Sequence, residues 1–200
     1  PGSLTLKYPQ GTRRELLFLD KAPMLQVVEI EELSERTYYV DEENDRILFS
    51  PPLGLDPAEA NVEVSVRPAN IYGVDSKLIR AFRVNNIKLS GFVLEHAAAG
   101  SLSNDSAVAL RGCSNIIIED CDFRYNNGFA LAVSSQGENL ARNLIVRNTR
   151  MNFNGSIGAT TGTVMNSLWE DVEFRYNNWR GAWWGATGWA PCGFKFASML

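Results

Sequence analysis

Four of the five tryptophans in the chain lie close together near its C-terminal end. They are Trp179, Trp183, Trp184 and Trp189, and small residues separate them in the stretch WRGAWWGATGWAPCG, residues 179–193. Exposed aromatic faces stack on sugar rings through dispersion and CH–π contacts, so this loop is a predicted substrate-binding platform for a glycan. A tryptophan-rich loop can equally fold over a sheet as a secondary core. The sequence leaves both interpretations open for each ring.

Three cations accompany the tryptophans. Arg180 and Lys195 flank the cluster, and Arg111 ends an earlier strand. A guanidinium or ammonium group can bind a uronate or sulfate, and a Lys or Arg base beside a second cation suits a lyase. Lys195 and Arg180 are therefore the predicted catalytic residues, and Arg111 is predicted to contact substrate. The alternative for Arg180 and Lys195 is that each is an ordinary solvated cation.

A glycoside hydrolase needs two carboxylates about 5 to 10 Å apart on the floor of its groove. The strand face expected to carry the groove has small residues and no carboxylate. Asp122 and Glu173 lie on another face, where the repeat places Arg150 between them as their ion-pair partner. If the chain is part of a longer enzyme that has such acids, we expect them beyond Leu200.

Composition and charge exclude several other functions. The net charge is -4 and the basic residues are scattered, which argues against a nucleic-acid partner. No run approaches the roughly 20 apolar residues of a membrane span. The three cysteines and the single histidine, His96, show no metal-ligand spacing, so neither a metal site nor a cofactor is predicted. Ca²⁺ is the one ion left open, and the sequence shows no acidic cluster for it on the predicted groove face.

An internal repeat organises the C-terminal part of the chain. Four segments align without gaps: NNIKLSGFVLEH from Asn85, SNIIIEDCDFRYN from Ser114, RNLIVRNTRMNFN from Arg142, and NSLWEDVEFRYN from Asn166. Apolar residues alternate within each segment, as β-strands require, and the phase slips once in each. The slips fall at Gly91, Asp120, Asn148 and Asp171. Each repeat is thus predicted to hold two short strands that meet at a bend, and a third strand precedes them.

The register of the repeat predicts that Phe92, Cys121, Thr149 and Val172 form one interior file. The underlying pattern, NIxIxxCxFxxNxxxGIxV, resembles the right-handed parallel β-helix of pectate-lyase-like proteins over about Leu78 to Leu200. The resemblance implies an all-β fold: a solenoid with three short strands per rung and an N-terminal β-rich capping region. Asn148 matches the family's ladder of asparagines at the bend, Asp120 and Asp171 substitute for it, and Gly91 interrupts it.

Residues 1–60 are predicted to form a β-hairpin cap, and residues 61–200 the rungs of a solenoid truncated at its C-terminus. The stretch TYYVDEENDRILFSPP resembles the entry region of secreted β-helix glycoside hydrolases of the fucosidase and xylanase type. The resemblance implies an extracellular or periplasmic glycoside hydrolase or polysaccharide lyase that acts on an extended glycan. The alternatives are a non-catalytic glycan-binding or adhesion module and a structural solenoid. The expected partners are a polysaccharide or oligosaccharide and, through an open C-terminal end, a second copy of the chain.

Overall fold

The computed structural model describes residues 15–65, 79–98, 106–180 and 193–197. Apart from one turn of 3-10 helix at Ile30–Glu32, the regular structure in these ranges is β. None of the helical structure in these ranges is long and apolar enough to cross a membrane. The strands are β1 (Leu17–Leu19), β2 (Ala22–Pro23), β3 (Leu25–Val27), β4 (Thr37–Asp41), β5 (Arg46–Ser50), β6 (Val62–Val64), β7 (Ile79–Phe82), β8 (Asn85–Ser90), β9 (Val93–Glu95), β10 (Ser106–Arg111), β11 (Ser114–Glu119), β12 (Asp122–Arg124), β13 (Phe129–Ser134), β14 (Ala141–Asn152), β15 (Ala159–Gly162), β16 (Val164–Glu173) and β17 (Phe194–Ala197).

Two small sheets form the N-terminal part. One has the order β2-β1-β6 with antiparallel pairs, and the other has the order β3-β4-β5. The predicted hairpin of β4 and β5 is confirmed. The Asp41 carboxylate holds its turn by accepting hydrogen bonds from the Asn44 amide at 3.2 Å and from Arg46 Nε at 2.8 Å. Strand β6, which follows the predicted boundary at residue 60, pairs with β1.

Two larger sheets contain only parallel pairs. One has the order β17-β15-β13-β10-β7, and the other contains β8, β11, β14, β12 and β9, with β16 on the far side of β14. The predicted register is confirmed, since equivalent residues on adjacent strands are 29, 28 and 23 positions apart. Thr149 lies opposite Val172, and the Cys121 amide lies 3.4 Å from Thr149 Oγ1.

The prediction of a single right-handed β-helix, with three strands per rung, is wrong. The strands belong to four separate sheets, and the two short strands of a predicted rung share one sheet. At Asn148 the backbone bends with φ at 43°, yet β14 runs through it unbroken. Bonds across the bend persist, as from the Asp122 amide to the Phe92 carbonyl at 2.8 Å. Alternation determines which strands pair, but not how many sheets those strands form.

The main core lies between the two parallel sheets. Ile116, Ile118 and Val146 from one sheet pack in one cluster with Leu110 and Leu131 from the other, and all are essentially buried. Phe92 differs from the predicted interior file because 49% of it is exposed. It precedes β9, on the outermost strands of its sheet, where no described strand covers it.

Candidate functional site

The two predicted catalytic cations lie in different surroundings. Arg180 is only 3% exposed, and its Nη2 donates a hydrogen bond to Gln26 Oε1 of β3. Burial lowers the pKa of Arg180, and the nearby Tyr38 and Glu15 partly oppose that effect. Lys195 lies on β17, half-buried, opposite Thr160 of β15. Their catalytic roles stay predictions, but Arg180 faces the N-terminal sheets and not an open groove.

Of the four tryptophans in the predicted aromatic platform, the structure describes only Trp179. Trp179 is half-buried, and its Nε1 is buried without a hydrogen-bond partner. Trp183, Trp184 and Trp189 lie outside the described residues. Trp169, the fifth tryptophan, packs against the main core cluster. The glycan-stacking role of the four clustered tryptophans remains a prediction.

The predicted floor of small residues is buried at several of its positions. Ala107 and Ala130 are 0% exposed and Ala109 is 3% exposed. Arg111, the last residue of β10, is half-buried opposite Ser134 of β13. These three alanines are buried and cannot contact a glycan, whereas Ala132 and Thr160 on the neighbouring strands are half-buried.

The repeated phrase FRYN, present at residues 123–126 and 174–177, builds a buried ladder of asparagines. Asn126 and Asn154 are fully buried, and each accepts a hydrogen bond from the backbone amide of the preceding repeat. Their side-chain amides donate to the Leu94 and Phe123 carbonyls at 2.9 and 3.1 Å. Asn177 continues the same pattern. Each turn buries one backbone N–H and one backbone carbonyl. An asparagine side chain accepts from the first through Oδ1 and donates to the second through Nδ2, which explains why the phrase is repeated.

The residue before each ladder asparagine forms an aromatic stack on the surface. Tyr125, Phe153 and Tyr176 have positive φ values near 53°, and their ring centroids are 5.3 and 4.9 Å apart. Phe18 stacks on His96 at 4.1 Å at one end. Tyr176, at the other end, is 68% exposed.

A concave groove follows the bends of the six-stranded sheet. We call it the bend groove; its volume is about 480 Å³. The charged and amide side chains lining it are Asp120, Asp122, Arg124, Asn148, Arg150 and Asp171. Phe92 and Val93 add an apolar edge at the β9 end. The four bend residues, Gly91, Asp120, Asn148 and Asp171, all have left-handed φ values, and the strand register places them in one column along the groove.

The acids of the bend groove differ in their partners. Asp122 lies 3.5 Å from both Arg124 and Arg150, so the predicted pairing of Asp122 with Arg150 is confirmed. Glu173 lies opposite Arg150 in the register but forms an ion pair with Arg175 at 3.1 Å. Asp120 accepts a hydrogen bond from Asn148 Nδ2 at 2.6 Å. Within the described ranges, neither Asp120 nor Asp171 forms an ion pair.

Sequence reasoning treated Asp120 and Asp171 as replacements in a structural ladder and therefore missed them as site residues. The signal was present in the alignment, because the bend column reads Gly, Asp, Asn, Asp at exposed positions. Two carboxylates that flank one amide in a single column can hold hydroxyl groups or move protons.

Comparison of the chain with protein-family models, curated proteins and solved structures finds no match. The resemblance to pectate-lyase-like proteins is therefore unsupported by family models and is contradicted by the four separate sheets.

Proposed function

We propose that this is an extracellular carbohydrate-active protein that binds an extended glycan along the bend groove. The observation that carries the proposal is the pair of exposed carboxylates, Asp120 and Asp171, in a concave polar groove of about 480 Å³. Carboxylates and amides accept and donate hydrogen bonds to sugar hydroxyls, and Phe92 offers an apolar surface to a ring face. The groove crosses several strands, as an extended chain requires.

The reaction we propose is hydrolysis. Asp120 and Asp171 lie two strands apart in one column, a backbone separation of roughly 9 to 10 Å. That is near the upper end of the roughly 6.5 to 9.5 Å between carboxyl groups in inverting hydrolases. In this assignment Asp120, which accepts from Asn148, is the base that activates water. Asp171 protonates the leaving oxygen.

A lyase that uses Lys195 and Arg180 has less support. Arg180 is buried against Gln26, so its guanidinium would have to leave that contact to reach a glycan. A buried guanidinium that loses its partner is costly. Hydrolysis needs no such rearrangement.

The test is turnover of defined polysaccharides. The chain is incubated with xylan, mixed-linkage β-glucan and polygalacturonate, and new reducing ends and unsaturated products are measured. We expect reducing ends without unsaturation, and we expect Asp171→Asn and Asp120→Asn each to reduce the rate at least about 100-fold. Glu170→Gln, which changes an adjacent exposed acid, is the matched control and should keep the rate. Full activity in both aspartate variants would contradict the assignment.

The second candidate is glycan binding without catalysis. Asp120 and Asp171 are both exposed, whereas a catalytic acid is commonly shielded from water. In that case Asp171→Asn would weaken binding of the same polysaccharides in affinity electrophoresis, and the wild-type chain would release no product from any of them.

A further inference from the structure

The two outer edges of the parallel sheets are chemically different from their interior strands. Each exposed large apolar residue of this region lies on or beside the outermost described strands. At the β7–β9 edge these are Phe82, Val84, Phe92 and Val93; at the β16–β17 edge they are Leu168, Tyr176 and Phe196. An uncovered strand edge with apolar neighbours is a template for another strand.

A second ladder of asparagines gives the edges opposite hydrogen-bonding polarity. Asn115 Nδ2 donates to Asn86 Oδ1 at 2.9 Å, and the same bond recurs from Asn143 to Asn115 and from Asn166 to Asn143. In the described part of the chain, Asn86 Nδ2 has no acceptor and Asn166 Oδ1 has no donor. The β8 edge therefore ends in a free donor, and the β16 edge in a free acceptor.

The charges at the two edges are also complementary. Strand β16 carries Glu170, and Arg175 follows it. They occupy the positions that Glu119 and Arg124 hold two strands further inside the sheet. Inside the chain those positions contact the β8–β9 edge: Lys88 lies 2.6 Å from Glu119, and Arg124 lies 2.7 Å from Glu95. The outer edge thus repeats the residue types that already bind β8 and β9.

We infer that the β16 edge binds the β8–β9 edge of a second copy of this chain, in parallel register and head to tail. Asn166 accepts from the second copy's Asn86, Arg175 pairs with its Glu95, and Glu170 pairs with its Lys88. Phe18 stacks on His96 at one end of the aromatic stack. The ring of Tyr176, at the other end, therefore has no place to stack on the second copy's His96 and stays exposed in this contact. Such a contact is heterologous, and repeated addition gives open chains instead of a closed dimer. The inference rests on the strand edges and not on the proposed glycan binding, although Phe92 and Val93 line both the β9 edge and the bend groove.

The test is a charge-swap mixing experiment on the full chain by sedimentation velocity, from about 1 to about 300 μM. The wild-type chain should form a concentration-dependent series of oligomers. Arg175→Glu alone and Glu95→Arg alone should each weaken association at least about tenfold, because each places like charges together. A mixture of the two variants should recover association, since the altered edge of one complements the altered edge of the other.

Glu138→Arg is the control, because this exposed residue lies in the turn between β13 and β14, away from both edges. It should associate like the wild-type chain, and circular dichroism should show that all three variants are folded. A wild-type chain that stays monomeric over the whole range overturns the inference. Variants that associate as strongly as the wild-type chain, or a mixture that fails to recover, also overturn it.

Discussion

At the scale of single residues, the buried asparagine ladder is where we expect a substitution to lower the free energy of unfolding strongly. Asn154 accepts hydrogen bonds from the Asn126 amide and side chain and donates to the Phe123 carbonyl. We expect Asn154→Ala to lower the free energy of unfolding by about 2 to 3 kcal/mol, because buried polar groups lose their partners. Urea denaturation followed by tryptophan fluorescence measures it.

Asn143→Gly is the control for this ladder. Asn143 belongs to the exposed ladder and has a φ of 54°, which glycine adopts without strain. The change should stay within about 0.5 kcal/mol of the wild-type value. If both variants lost the same unfolding free energy, burial of the asparagine would not explain how much each ladder contributes to stability.

Glu119 gives the sheet a dependence on pH. Hydrogen bonds from Lys88 first and Arg147 second lower the pKa of Glu119 from 4.5 to about 2. A carboxyl whose pKa is lower in the folded state stabilises that state fully above the unfolded pKa, and the contribution is lost as pH falls from about 4.5 to about 2. We expect Glu119→Gln to lower the melting temperature at pH 7 and to have little effect at pH 2. Melting curves measured across this range, with Glu138→Gln as the unpaired control, test it; a constant difference would contradict it.

At the scale of elements, the turn from β14 to β15 depends on a close backbone approach. A Cβ atom added at Gly155 would lie 1.9 Å from the Asn127 carbonyl oxygen, which is backbone and cannot rotate away. We expect Gly155→Ala to cost at least about 2 kcal/mol of unfolding free energy. Gly162→Ala is the matched control, since its nearest neighbour would be Ser134 Cβ at an ordinary 3.5 Å. Chemical denaturation of both variants measures the difference, and equal effects would contradict it.

The strand register could be predicted from the sequence, but the arrangement of sheets could not. The alternation of Ile116, Ile118 and Phe123, repeated at fixed steps, determines which residues lie opposite one another. A one-residue bend interrupts a strand only if the hydrogen bonds to the neighbouring strands are lost there. The apolar alternation of the sequence does not predict whether those bonds persist. The repeat aligned Asp120 and Asp171 at the bend, where the sequence indicates only a structural role. The groove that makes them candidate site residues depends on the three-dimensional arrangement of the strands.

For the whole molecule, contacts between distant parts of the chain escaped prediction. Arg180 is buried because it meets Gln26, 154 positions earlier. Phe92 is exposed because its strand is the last described one on that side of the sheet. Neither environment follows from the residues around it in the sequence. Both show that the N-terminal sheets and the edges of the parallel sheets determine what is accessible.

Phe18 is one of the residues that join the N-terminal sheets to the parallel sheets, as Gln26 does at Arg180. This ring is 1% exposed and stacks on His96 at 4.1 Å, with Tyr125 at 6.1 Å. We expect Phe18→Ala to cost about 3 to 5 kcal/mol and to uncouple the two parts, so that one thermal transition becomes two. All five tryptophans follow residue 168, so their fluorescence reports only the C-terminal part, whereas circular dichroism reports both. Ile30→Ala, at a residue 45% exposed, is the control and should keep coincident transitions. Coincident fluorescence and dichroism curves for Phe18→Ala would contradict this coupling.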